Sequence, residues 1–171
     1  MAIREVKKLP HPILRKKAHK VTKFNQEFQT LVEDMIETMR VEPGVGLAAP
    51  QVNVSSRVIV VEYPMDDTIE NAKPKLFIVA NPEIVKTSED NALGVEGCLS
   101  VPDVVGEVER SIKVVVKGQN RYGKKEKIRA QGWLARIFQH EIDHLNGVLF
   151  IDRAEQLWKT EEVEASKVEM V

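Results

Sequence analysis

The chain has 171 residues, enough for one domain that buries a substantial core. Hydrophobic residues make up 43% and charged residues 30%, the balance of a globular protein, and no run approaches the about 18 apolar residues of a membrane span. A net charge of −1 excludes a global field steering the chain toward nucleic acid, and a single cysteine, Cys98, excludes an internal disulfide.

No apolar signal region opens the sequence, which with the lone cysteine predicts a cytoplasmic setting. The charge is uneven. Up to Lys23 the chain carries Arg4, Lys7, Lys8, Arg15, Lys16, Lys17, Lys20 and Lys23 against Glu5. A second basic cluster holds Arg121, Lys124, Lys125, Lys127 and Arg129, and the tail after Asp152 tips acidic. Each reads as a solvated face, and none implies stable nucleic-acid binding.

In chain order, Asn25 is placed to cap a helix running to about Met39. Phe28, Leu31, Val32, Met35, Ile36 and Met39 form its apolar stripe, and Pro43-Gly44 ends it. Arg57 to Tyr63 reads as a buried strand. Leu76 to Ala80 and Glu83 to Lys86 read as two more, separated by Asn81-Pro82. Strands are also predicted over Val104 to Glu109, Ile112 to Lys117 and Glu126 to Ala130, the last two joined by a turn around Gly123. A helix follows from Trp133 to about Leu145, stopped by Asn146-Gly147. Val148 to Ile151 is expected to be a short strand, and a final helix is expected to start near Arg153. The sum is an α+β fold, with mixed or antiparallel strands packed around a central helix.

That central helix carries Gln139-His140-Glu141-Ile142-Asp143-His144, an H-E-x-x-H sequence. Positions four apart share a helix face, so His140 and His144 can reach one metal ion, with Glu141 beside it as a base for water. A catalytic site of this type needs three protein ligands and an open position. Two sources offer the third: Cys98, or one of Glu161, Glu162 and Glu164 in the tail, where a glutamate-ligand metallopeptidase would place it. Two further segments have compositions that packing does not demand. Gly44-Val45-Gly46-Leu47-Ala48-Ala49-Pro50-Gln51 combines small residues with an amide donor and lacks the lysine of a phosphate loop. Glu96-Gly97-Cys98-Leu99-Ser100 sets a thiol beside glycine, with a carboxylate two residues upstream.

These three segments, in this order, resemble the peptide deformylase family, and the likeness runs from about Leu9 to Ile151. The resemblance implies a metal-dependent hydrolase that removes the formyl group from the N-terminal methionine of nascent polypeptides. It also implies one catalytic domain over 1–171, with 153–171 as a C-terminal tail or helix. It makes Cys98, His140 and His144 the ligands of one divalent ion, Fe(II) in the cell, with Zn(II), Ni(II) or Co(II) accepted by the same set. It makes Glu141 the general base and acid, and Gln51 and the Leu99 N–H the oxyanion donors. Gly46 falls beside the scissile formyl group, and Val45 and Gly97 match backbone partners that hold the peptide as an added strand. Arg110 matches an arginine paired with the Glu96 equivalent, a support for the ligands.

The sequence departs from the family in places. Arg136, one turn before His140, is left between the rim of the methionine pocket and the protein surface. Lys159 and Lys167 stand among acidic residues, unlike the basic C-terminal helix with which some family members dock on the ribosome. A transient ribosome contact would fall to the N-terminal basic segment or the 121–129 turn. Two rival functions remain open: a metallopeptidase using a tail glutamate, and a silent metal or peptide binder, which would need no Glu141. The expected setting is bacterial cytoplasm, with an organellar mature form left open.

Overall fold

The computed structural model describes residues 2–162 and 169–170. Its strands are β1 (Gly46–Ala48), β2 (Val58–Tyr63), β3 (Lys75–Thr87), β4 (Asn91–Cys98), β5 (Val101–Ser111), β6 (Lys113–Gln119), β7 (Lys125–Gln131), β8 (Gln156–Lys159) and β9 (Glu169–Met170). The α-helices are α1 (Gln26–Val41), α2 (Gly132–Leu145) and the single turn α3 (Phe150–Arg153). One antiparallel sheet runs β1-β2-β3-β6-β7 and a second runs β8-β5-β4-β9, antiparallel except for the parallel β4–β9 pair.

The apolar patterns fix the layers. Along β2, Val58 and Val60 face the stripe of α1 (Phe28, Leu31, Val32, Met35, Ile36 and Met39), while Ile59 and Val61 face α2. The continuous run is therefore buried on both faces, because the five-stranded sheet carries a helix on each side. Asn25 caps α1 as expected, its side chain accepting the Phe28 N–H at 3.1 Å. Helix α2 packs Leu134, Ala135, Ile137, Phe138, Ile142 and Leu145 onto the same sheet. Gly147 ends α2 in the left-handed region, φ +74°, where a Cβ would sit 2.6 Å from the Arg15 carbonyl oxygen.

Three expectations are corrected, and one strand appears where none was assigned. Residues 76–80 and 83–86 form one strand, β3, with a register shift between Ala80 and Glu83. Asn81 holds that irregularity: its side chain accepts the Val21 N–H and donates to Val21 O and the Gln119 side chain. Strand β4 lies in a stretch that local pattern left unassigned. Its glycines and polar residues have weak strand preference, and pairing along the whole of β5 supplies the order. Val148 to Ile151 is not a strand; Asp152 turns back onto the Leu149 N–H at 2.9 Å and starts α3 there. The helix expected near Arg153 is replaced by β8, which pairs with β5 over Val104 to Glu107, and residues 163–168 lie outside the described residues.

Candidate metal centre

Helix α2, packed on the five-stranded sheet and touching β5, brings His140 and His144 to Cys98 at the end of β4, with Glu141 beside them. A register shift between Gly97 and Cys98 re-aims the thiol toward them. The Sγ of Cys98 lies 3.4 Å from His144 Nε2, and the donor atoms of Cys98, His140 and His144 fall within 4.8 Å of one another, all buried. The two imidazoles stand edge to face with centroids 5.0 Å apart. Phe150 stacks on the His140 ring, and His140 Nδ1 lies 2.8 Å from Glu96 Oε1. That bond leaves His140 Nε2 pointing to the cluster, buried and without a protein partner. A thiolate and two imidazole nitrogens converging with such an orphaned atom fit a divalent ion of the zinc or iron type. Among the described residues the structure thus brings Cys98 to the histidines, and the side chain of Glu162 lies outside what is described. Glu161 is exposed, and Glu164 lies outside the described residues.

Glu141 is fully buried beside this cluster, and neither carboxylate oxygen has a protein partner. Burial pushes its pKa up to about 7. Gly46 opens the space in front of it: a Cβ there would come 2.6 Å from Glu141 Oε2. Gln51, in the short turn Ala49–Val52, accepts the Ala48 N–H at 3.0 Å. Its amide donates to Ser100 Oγ at 3.1 Å and points to Cys98 Sγ at 3.7 Å. Leu99 sits in the two-residue turn between β4 and β5, its side chain against Gly44. The Val45 carbonyl is already taken by the Glu62 N–H. Gly97 pairs with Val105 on one side, and on the other β9 runs alongside it.

Glu96 lies in the centre of a buried charge cluster. Arg110 Nε and Nη2 donate to its two oxygens at 3.0 and 2.9 Å, and Arg110 Nη1 reaches Asp143 at 2.7 Å. Asp143 in turn receives Arg153. Burial alone would raise the Glu96 pKa, but His140 and Arg110 outweigh it and hold the carboxyl well below its usual range. Burial would likewise lower His140, yet contacts with Cys98 and Glu96 push it up to about 10; His144 is driven well below its ordinary value by burial and by its charged neighbour.

Arg136 resolves against both readings left open for it. It is neither a pocket rim nor a surface residue. It is buried, donating to Glu96 Oε2 at 2.7 Å and to the carbonyls of Val108 and Ala92. A signal was present in the sequence: Arg136 is one turn before His140, and Gly94 shares a strand face with Glu96.

Comparison with known proteins agrees with this geometry. The family model for polypeptide deformylase matches residues 3–160. A peptide deformylase of Symbiobacterium thermophilum is 54% identical over 157 residues, covering 92% of this chain and 69% of its own length. One from Halothermothrix orenii is 52% identical over 153 residues, covering 90% and 94%. The crystal structure of peptide deformylase from Ehrlichia chaffeensis in complex with actinonin superposes with a TM-score of 0.84 at 37% identity, covering 91% of each chain. With a matching fold and a fitting metal centre already in hand, the chain belongs to the polypeptide deformylase family and is an enzyme of metal-dependent N-formyl removal from formyl-methionyl polypeptides.

Proposed function

We propose that residues 1–171 act as one catalytic domain in which Cys98, His140 and His144 hold a divalent ion, Fe(II) in the cell. The observation that carries this reading is the unpartnered Glu141 carboxylate, buried beside the three ligands and facing Gly46. Held by these residues, such an ion would supply Lewis acidity and lower the pKa of water from about 15.7 toward about 7. Glu141 takes the proton of the attacking water and returns it to the methionine nitrogen as the C–N bond breaks. Gln51 Nε2 and the Leu99 N–H meet the charge that builds on the formyl oxygen, each such donor being worth about 3 kcal/mol. The missing Cβ of Gly46 lets the formyl carbon approach, and the backbones of Val45 and Gly97 hold the peptide as an added strand. Strand β9 already runs along Gly97, so the incoming peptide displaces it. The soft, charge-donating thiolate suits Fe(II) or Zn(II), and in air the Fe(II)–thiolate pairing would expose Cys98 to oxidation.

The test is formate release from a short formyl-Met peptide by the full chain, purified without oxygen and loaded with Fe(II). Release on the order of hundreds of equivalents per enzyme within minutes is expected. A folded, metal-loaded sample that releases none sinks the assignment of this site.

We also place the enzyme in the cytoplasm, in transient contact with ribosomes. Lys17 and Lys20 from the N-terminal basic segment line the same groove as Lys117, Lys125 and Lys127, so two clusters separate in sequence become one surface. Glu83 and Glu126 also line it. Arg121, by contrast, is occupied by Glu33 and Gln29. Lysines spaced along a groove suit an RNA phosphate backbone. Changing Lys117, Lys125 and Lys127 to Glu is expected to abolish co-sedimentation with ribosomes at low salt while leaving formate release intact. Unchanged co-sedimentation removes the groove from consideration.

A further inference from the structure

We propose that Arg136 is a positioning residue for the metal centre: it locks the Glu96 carboxylate to the scaffold and thereby sets the orientation of the His140 ring. The inference rests on the reading of His140 as a ligand.

Glu96 accepts four donors. His140 Nδ1 and Arg110 Nη2 meet Oε1 at 2.8 and 2.9 Å, while Arg110 Nε and Arg136 Nη1 meet Oε2 at 3.0 and 2.7 Å. A carboxylate has about four acceptor sites, so the set is complete only with Arg136 present. The two arginines do different work. Arg110 grips both oxygens as a fork and is itself tied through Nη1 to Asp143, so it links the carboxylate to a side chain of α2. Arg136 ties the carboxylate to the backbone of two strands. Its Nη1 also donates to Val108 O on β5 at 2.8 Å, and its Nη2 to Ala92 O on β4 at 2.8 Å. Its guanidinium carbon lies 5.3 Å from the centroid of the Trp133 ring, which helps hold it in place. Because His140 Nδ1 meets the oxygen whose place is set in this way, the aim of Nε2 follows from Arg136 through Glu96.

Gly94 supports the same conclusion independently. A Cβ there would lie 2.7 Å from the Arg136 guanidinium carbon and 2.9 Å from both Nε and Nη2. Gly94 is outside the left-handed region, so its backbone does not call for glycine. The space above it is filled by the guanidinium, two residues along the strand from Glu96.

The experiment compares the full chain with R136M, R136K, G94A and the double variant G94A/R136M. Zn(II) affinity is measured by chelator competition, and the His140 ring signals by NMR on metal-free protein. R136M is expected to weaken Zn(II) about 10–100-fold and to shift the Nδ1 proton of His140. R136K is expected to recover part of both. G94A is expected to resemble R136M in the wild-type background and to add nothing in the R136M background, since the clash needs the guanidinium. Folded R136M and G94A proteins with unchanged affinity and an unmoved His140 proton would overturn the role. If R136M fails to fold, G94A alone decides. A wild-type chain that binds no Zn(II) would count against the ligand assignment, while the His140 proton would still decide the role of Arg136.

Discussion

Glu141→Gln is expected to keep its metal, to lose about 10²–10⁴-fold in kcat/KM, and to be more stable than the wild type once the metal is removed. The two halves have one cause. Glu141 is buried, both oxygens lack a protein partner, and burial lifts its pKa from 4.5 to about 7. A carboxyl with that value is poised to exchange a proton near neutrality, as a base that must later act as an acid requires. The same lift weakens the metal-free fold. The folded-state value lies above the ordinary one, so protonated Glu141 favours the fold fully below pH 4.5, and that support is lost as pH climbs through 7. The difference corresponds to on the order of 3 kcal/mol. Urea unfolding of metal-free protein should therefore show Glu141→Gln ahead of wild type by about that amount at pH 8, with the two converging near pH 4.5. Equal stability at pH 8 would show that the carboxylate finds compensation when ionised. Full turnover in the variant would remove Glu141 from the proton path.

The elements that sequence pattern located well are those whose order is local. Helix α1 has a side-chain cap and an apolar stripe, α2 has a stripe and a left-handed glycine stop, and β6 and β7 are joined by a turn at Gly123. Strand β4 was not legible, because Asn91, Gly94 and Gly97 carry little strand preference and their order comes from β5. The end of the chain misled for a related reason. Phe150 is an apolar residue that could have belonged to a strand, but Asp152 folds back on Leu149 and closes a helical turn instead.

The candidate site divides the same way. His140, Glu141 and His144 follow from one helical repeat, whereas their closeness to Cys98 depends on a register shift that no local pattern announces. Arg136 was hidden by its type. A charged residue on a helix is ordinarily solvated, and only the pairing of β4 with β5 brings Glu96, Ala92 and Val108 within its reach. Glycine in a strand often marks a close approach, and at Gly94 the approaching group is that guanidinium.

Glu96→Gln tests whether the buried cluster acts as a unit, and here the pH dependence has the opposite sign to that of Glu141. The amide keeps the shape of the side chain but loses its charge and half of its acceptor capacity. The one remaining oxygen cannot serve all four donors, while Arg110 keeps Asp143 and Arg136 keeps the carbonyls of Val108 and Ala92. Breaking a buried pair in this way typically costs about 3–5 kcal/mol, which for a chain of this size lowers Tm by roughly 6–20 °C. His140 and Arg110 hold the Glu96 carboxyl well below its ordinary 4.5, so its contribution is fully present above that pH and is lost as the pH falls below it. Wild type and Glu96→Gln should thus differ most at neutral pH and draw together on acidification. Glu141→Gln departs from wild type in the other direction, and only as the pH rises. Urea midpoints of the metal-free proteins at pH 4 and 7 read both trends. A Glu96→Gln chain as stable as wild type at pH 7 would mean that the two arginines are satisfied without the carboxylate. Glu96 would then orient His140 without holding the fold together, and the support of the metal centre would be separable from the stability of the sheet that carries it.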